Sequence, residues 1–337
     1  MSARPRPQLS VVISTLGNYA TLERVLDGYS RQRALRGSFE VVVVVDAADP
    51  DPDAADRAIG ERTFPVRRSA ATVPGLSANR NVGWRLAEAP IVLFTDNDTI
   101  PVPRLVLEHL SWHRQYEDEA VGVQGCVRWA RELRITPFMR WLDTGIQFDF
   151  QSIEGIEAGW GRFAGANASV KRSFLERVGD FDQQNFPYGY EDTDWAYRAS
   201  KLGFRLLYNS RAMVDHVRPM SVEFWQRRAR RIAAAEYRFS KLHPDMPPWF
   251  HRMFSEAMER PPARGRGIGL ARWVPRGLAG LGPKVWASVD LAYKQAIAPH
   301  FMAAWEEAAA NEGRPPQPDL SEFASGTPLG DASSGPK

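Results

Sequence analysis

Cysteine is nearly absent: among 337 residues there is 1 Cys. That lone thiol, Cys126, excludes an internal disulfide framework and fits a reducing compartment. It sits among small and apolar residues in 120–127, where a buried filler is the ordinary outcome. Long hydrophobic runs are missing as well. No stretch approaches the ~20 apolar residues that a membrane span needs. The one that follows the basic, Pro-rich start, residues 1–8, is shorter than a signal-peptide core. Charge of one sign is not in excess either. Lys and Arg total 43 against 40 Asp and Glu, for a formal net charge of +3, too weak to argue a nucleic-acid partner. The expectation is a cytoplasmic chain without nucleic acid, with scope for peripheral membrane contact. What is present, 44% hydrophobic and 25% charged residues, is ordinary for one large globular domain or two smaller ones.

Strand and helix patterns alternate along the first third. Residues 9–15 read as a strand, and Thr21 then caps a helix carrying Leu22, Val25, Leu26 and Tyr29 at helical spacing. Residues 39–45 are nearly all valine. Such a run has no wet face and belongs in the middle of a parallel sheet covered by helices. Residues 66–68 suggest a short strand, 77–88 a helix and 91–96 another strand. The alternation predicts βαβ units: an α/β fold with a Rossmann-like, mainly parallel sheet flanked by helices. Further on, helices are expected over 103–119, 171–178, 191–202, 221–242 and 283–310, and a strand over 205–209 with a candidate strand end at 213–216. Residues 313–337 are rich in Pro, Ser and Gly and read as a disordered tail.

Three of the strands end in polar groups: Thr15, Asp46 and Asp96. In an open α/β sheet the ligand crevice lies outside the carboxyl ends of the strands, so these groups should line one edge. Asp96-Asn97-Asp98 is ordinary turn chemistry on its own. At a crevice lip, its hard oxygens suit Mg2+ or Mn2+ shared with phosphate. A second acidic cluster, Glu191-Asp192-Thr193-Asp194, opens a predicted helix. Acids there complement the helix dipole, and the same placement keeps a carboxylate ionised, as a general base requires. His109 and His113 are spaced i, i+4 but lack the Glu of a zinc His-Glu-x-x-His, so a packed or solvated face is expected. Gly265 to Gly269 follows no strand and is set aside as a dinucleotide loop. Residues 131–161 mix Arg with Phe138, Trp141, Phe148, Phe150 and Trp160, as a crevice wall or a second small core. The 221–242 helix crowds Arg227, Arg228, Arg230 and Arg231 on its polar side, facing solvent, anionic lipid or a phosphorylated substrate. Together the pieces suit metal-assisted displacement of a nucleotide-diphosphate leaving group.

In their order these segments resemble glycosyltransferase family 2 of the GT-A fold. Residues 9–15 are similar to that family's first strand, and 43–46 to its nucleoside-binding strand end. Residues 75–83 resemble the helix before its metal motif, and Asp96-Asn97-Asp98 its Asp-x-Asp motif. Residues 165–169 resemble the donor-sugar segment. Residues 189–194 resemble the acceptor-side Glu-Asp motif of a galactosyltransferase-type C-terminal module. Two departures stand out. Ser14-Thr15-Leu16-Gly17-Asn18 replaces a common Pro-Thr-Tyr-Asn, and Asp46-Ala47-Ala48 a common Asp-Asp-Gly-Ser, removing one acidic contact to the nucleoside.

The resemblance implies inverting transfer of a sugar from a nucleotide-diphosphate sugar, most often a UDP sugar, to an acceptor the sequence does not name. It implies Asp98, with Asp96 and His216, as ligands of Mn2+ or Mg2+, and Asp192 as the base. Glu191 and Asp194 would position the acceptor or support the helix start. Thr15, Asp46 and Arg80 would hold nucleoside and phosphates, and Gly165 and Asn167 the donor sugar. It divides the chain into a nucleotide-sugar half (1–127), an acceptor half (128–218), a helical C-terminal extension (219–312) and the tail (313–337). Membrane contact would come through the 221–242 helix or the C-terminal helix. A nucleotidyltransferase that makes sugar nucleotides is the rival enzyme, but it should carry a Gly-rich loop with a basic residue after the first strand, which residues 14–18 lack. A non-catalytic sugar- or nucleotide-binding module is the rival outside enzymes.

Overall fold

Every residue of β1 (Leu9–Thr15) and β2 (Phe39–Val45) is buried. Each fully buried valine there contributes about 1.5–3 kcal/mol relative to exposure, so these two strands fix the centre of the molecule. The computed structural model describes residues 6–34, 37–150, 152–263, 266–271, 273–274, 278 and 281–311. The expected tail lies outside them.

The chain runs β1, α1 (Tyr19–Ser30), β2, α2 (Pro52–Ile59), β3 (Val66–Ala70), α3 (Leu76–Leu86), β4 (Ile91–Asp96), β5 (Thr99–Pro101) and α4 (Leu105–Gln115). It continues through β6 (Val121–Trp129), α5 (Pro137–Leu142), β7 (Asn167–Lys171), α6 (Arg172–Val178), α7 (Glu191–Ser200) and β8 (Arg205–His216). The helices α8 (Val222–Leu242), α9 (Trp249–Met258), α10 (Arg266–Ala271) and α11 (Gly282–Ala310) follow. The strands form one 8-stranded sheet in the order β3-β2-β1-β4-β7-β6-β8-β5. β3, β2, β1 and β4 are mutually parallel. The other half is mixed: β7 runs antiparallel to β4 and β6, β6 is parallel to β8, and β5 is antiparallel to β8.

This topology positions the site. Thr15 pairs with Val45 and Ser14 with Asp96, so Thr15, Asp46 and Asp96 share one edge. Because β7 is reversed, its first residue, Asn167, pairs with Thr95, and the segment before it arrives at that same edge. β8 ends there too, with His216 opposite Thr99 and Trp129.

Some elements differ from their sequence patterns for local reasons. α1 starts at Tyr19 after Asn18, which adopts a left-handed conformation (φ 55). Thr21 lies in the first turn and donates its hydroxyl to the Asn18 carbonyl (2.7 Å) rather than capping the helix. α2 lies in an acidic, Pro-rich stretch; Asp51 caps it through the Ala54 N–H, with Pro52 at its first position. β8 is one strand, not two pieces, and a register shift at Gly125/Cys126 of its partner β6 accommodates the irregularity. His109 and His113 are buried against β7, each hydrogen-bonded to Ser169 Oγ at 2.8 Å. α8 is amphipathic as expected: Trp225, Ala229 and Ile232 are buried with Val289, Ile297 and Phe301 of α11, and Phe239 with Phe186 and Tyr197, while Arg227 and Arg230 are exposed. Among the described residues no helix is long and apolar enough to cross a membrane.

Candidate active site

A cleft of about 670 Å³ opens at the shared strand edge, and Thr15, Asp96, Asp98, Asp192, His216 and Arg228 are among its lining residues. Its floor is the turn after β4. The Asn97 side chain is pinned by Thr15 Oγ1 (2.8 Å) and the Gly17 carbonyl (3.2 Å). Thr99 Oγ1 closes the turn onto the Asp96 carbonyl (2.9 Å). Asp96 and Asp98 are thus held as neighbours while the residue between them serves the scaffold. The Val217 N–H donates to the Asp98 carbonyl (3.0 Å), tying the turn to the end of β8. His216 Nε2 then lies 3.6 Å from Asp98 Oδ2. Burial lowers the His216 pKa, so the ring is neutral near pH 7. Trp129 and Phe148 pack edge-on against it.

The second acidic cluster reaches the same cleft through Arg80 of α3. The Arg80 guanidinium is buried and donates to Glu191 (2.9 Å) and Asp192 (2.7 Å), with Asp96 4.0 Å away. Burial works against its charge, but Asp192, Glu191 and Asp96 outweigh it and raise its pKa. Asp192 Oδ2 also accepts the Gly165 N–H (2.9 Å). Glu191 Oε2 accepts the Gly189 N–H (2.6 Å). Burial pushes the Asp192 pKa up to about 7, against the pull of Arg80. Asp96 rises to about 6, again mainly through burial. Asp194 turns the other way, to Arg198 (2.8 Å) and His243 (2.9 Å).

Gly165 is where Arg80 comes closest to the backbone. A Cβ there would stand 2.4–2.8 Å from the guanidinium atoms. Gly165→Ala is therefore expected to push Arg80 off Asp192 and lower kcat by about tenfold or more, since misplacement by an ångström can cost that much and more. Steady-state kinetics alongside a thermal melt check it; unchanged kcat would overturn the assignment.

Two residues expected on the donor face inward. Asn167 is wholly buried; its Nδ2 donates to the Cys126 (3.1 Å) and Ala212 (2.9 Å) carbonyls, and its Oδ1 meets His109 (3.0 Å). Its side-chain amide is thus committed to joining β7 to β6 and β8. Asp46 borders the cleft but is a buried hub. Its Oδ1 accepts the Ala48 N–H (2.9 Å), and its Oδ2 accepts the Gly75 N–H (3.0 Å), Asn79 Nδ2 (3.0 Å) and Tyr188 OH (2.9 Å). Thr15 is likewise buried and committed to Asn97 and Gly17.

Of the other cleft residues, Tyr188, Arg218, Trp249 and Phe250 were not singled out from the sequence, whereas Arg228 and Arg231 were, with a phosphorylated substrate among the readings of their helix face. Tyr188 braces Asp46, and Trp249 and Phe250 of α9 form part of the rim. Arg228 and Arg231 of α8 line the cleft together with Arg218. Phe224, Arg228 and Arg231 follow i, i+4, i+7, the one-face spacing of a helix; that periodicity was the available signal. Arg228 is near enough to pull the Asp96 pKa down and to disfavour protonation of His216.

The model of the family described as "Glycosyltransferase like family 2" matches residues 5–235. The chain belongs to glycosyltransferase family 2. Its curated relatives include the validoxylamine A glucosyltransferases of two Streptomyces hygroscopicus subspecies. That of subspecies jinggangensis is 27% identical over 224 residues, 57% of this chain and 51% of the relative. The limoneus protein is 27% identical and covered to 48%. This family 2 chain thus spans about half the length of the curated relatives it matches. Among solved structures it is similar to a mannosyltransferase of Pyrobaculum calidifontis in complex with GDP-Man and Mn2+, at TM-score 0.52 and 22% identity over 91% of this chain and 76% of that one. It is also similar to S. aureus TarS 1–349 in complex with UDP, at TM-score 0.50 and 13% identity over 91% and 92%. At such identities the likeness carries the fold, and the fold is GT-A.

Proposed function

We propose that this family 2 transferase moves a sugar from a nucleotide-diphosphate sugar to an acceptor hydroxyl by one inverting, metal-dependent displacement. A UDP sugar is the first donor to test. The observation that carries the reading is the Arg80 guanidinium, in ion-pair reach of both Asp96 and Asp192. It puts the turn suited to a diphosphate and the carboxylate suited to a proton in one cleft.

Asp192 would act as the base. Its carboxylate is fixed by Arg80 and the Gly165 N–H, and its raised pKa lies near neutrality, where a base is both ionised and able to keep a proton. The acceptor oxygen bonds to the anomeric carbon, the bond from that carbon to the diphosphate oxygen breaks, and the acceptor proton passes to Asp192. Arg80 and Glu191 hold the base in place. Arg228 faces the turn that would carry the departing diphosphate and adds positive charge there.

Among the described residues no cluster of three His, Cys, Asp or Glu could hold a metal ion alone. Asp98 and His216 form a two-ligand pair of hard oxygen and neutral imidazole, with Asp96 beside it. The pair fits Mn2+ or Mg2+, which commonly take one or two protein ligands and complete their shell with phosphate and water. A bound ion would neutralise charge building on the leaving group.

Asp98→Ala is expected to abolish metal-dependent nucleotide binding, measured by calorimetric titration of UDP at increasing Mn2+. Unchanged binding across the metal titration would overturn the ligand assignment. The function itself is tested by release of free nucleotide diphosphate from a panel of donor sugars, with and without EDTA. Release that requires metal supports transfer chemistry; binding without any turnover points to a non-catalytic module.

A further inference from the structure

Trp249 opens α9 and is 44% exposed, yet it lines the cleft. Its ring meets that of Phe250 nearly at right angles, with centroids 4.6 Å apart. Phe250 in turn stacks on Phe254, which packs on Phe301 of α11 (5.0 Å). The indole is thus backed by the core of the helical extension while part of its surface borders the cleft. The turn that delivers it is fastened to the helix of the proposed base. His243 Nε2 meets Asp194 Oδ1 (2.9 Å), and the Tyr197 hydroxyl donates to the Asp245 carboxylate (2.6 Å to the nearer oxygen). Asp194 and Tyr197 belong to α7, whose first turn carries Asp192. Pro247 and Pro248 then stiffen the approach to α9.

A second wall is tied to the same base from elsewhere in the chain. Gln147, Phe148, Asp149 and Phe150 all line the cleft. Asp149 is paired with Arg162 (2.8 Å), just before Gly165, whose N–H holds Asp192. Polar and aromatic side chains alternate along this wall. A pyranose ring has the matching pattern, with C–H bonds on one face and hydroxyls around its edge. The C–H face suits the negative face of an aromatic ring. The hydroxyls suit amide, carboxylate and guanidinium partners. A fatty chain would desolvate Gln147, Asp149 and Arg162 without offering them partners, which is costly. A phosphate group gains little from Arg162, whose charge Asp149 already answers.

We propose that Trp249 is the platform of the acceptor subsite and selects an acceptor that presents an uncharged sugar ring. The assignment deepens the transfer reading and rests on it. Trp249 lies beyond residue 235, where the stretch shared with the family ends. Acceptor choice is then set by this chain's own extension, and donor chemistry by the shared part.

The test is saturation-transfer NMR of the full chain with the methyl glycosides of glucose, galactose, mannose and N-acetylglucosamine, run beside octyl phosphate and repeated for two variants. At least one glycoside is expected to bind, with its strongest signals from C–H groups on one ring face. Trp249→Ala is expected to weaken that binding by about tenfold. Trp249→Phe keeps a ring and should recover most of the loss, which separates the platform from the fold. Glycoside binding untouched by Trp249→Ala would overturn the proposal, as would a failure of every glycoside to bind. Trp249-dependent binding of octyl phosphate alone would assign the subsite to a lipid-phosphate acceptor and overturn it equally. Turnover separates this inference from the reading beneath it. If a glycoside binds through Trp249 but no donor yields nucleotide diphosphate, the sugar platform stands and transfer falls. If transfer proceeds with an acceptor KM that Trp249→Ala leaves unchanged, the platform falls and transfer stands.

Discussion

Asp192→Asn is expected to lower kcat by about 10²–10⁴-fold, the usual contribution of a positioned base, with donor affinity nearly unchanged. The amide keeps an oxygen for the Gly165 N–H, and Arg80 keeps Glu191, so the start of α7 should stay in place. What is lost is the ability to take a proton. In the proposed reading the donor's diphosphate is held through a metal ion on Asp98 and His216, which the substitution does not touch. The native pH profile gives the same argument a sign. As the proposed base Asp192 would act only when ionised, and burial raises its pKa to about 7. The kcat/KM of the native chain should therefore rise with pH through about 7 and level off above it, since that ratio reports the free enzyme. In the Asn variant this acid limb disappears together with the rate. Parallel loss of turnover and nucleotide binding would move the base elsewhere.

Arg80→Met should cost more in stability than any other single change in the cleft. Arg80 is buried and answers three carboxylates. Removing one partner of a buried ion pair typically costs 3–5 kcal/mol, because the remaining charge is left uncompensated. Asp96 and Asp192 keep some solvent contact, which puts the expected loss at the lower end, about 3 kcal/mol by urea denaturation. The loss should grow with pH. Without the guanidinium the folded-state carboxylates move further up from their unfolded values, so the folded state binds more protons than the unfolded one in the window between. Stability then falls as pH rises through that window, and the gap to the native chain is wider at pH 8 than at pH 5. Arg80→Lys restores charge but not the planar fork that spans both acids, so it should recover stability better than kcat. A Met variant as stable as the native chain at pH 8 would mean that the acids are not ionised together.

Much of the α/β core was legible because its signals are local. A run of buried valines, helical spacing of Leu22, Val25 and Leu26, and polar strand ends at Thr15, Asp46 and Asp96 need no knowledge of distant residues. Direction was not legible. Asn167 and Asp46 are of types that bind ligands, yet both spend their hydrogen bonds inside the fold. No pattern in a single sequence says which way a side chain turns. Pairing across distance was equally hidden: Tyr188 finds Asp46 over 142 positions, and Arg80 finds Asp192 over 112. The reversal of β7, which delivers Gly165 to Arg80, was not readable: residues 165–169 showed only their resemblance to a donor-sugar segment.

Tyr190, the residue before the acidic cluster, holds φ at +66, and its hydroxyl is anchored on Glu236. Glu236 also accepts the N–H groups of Phe250 and His251 at 2.8 Å, fastening α9. It is the first position after the stretch shared with the family, which ends at 235. A truncation cut at that boundary would strand Tyr190, and a minimal version of this enzyme must carry its helical extension to keep the acids of α7 aligned.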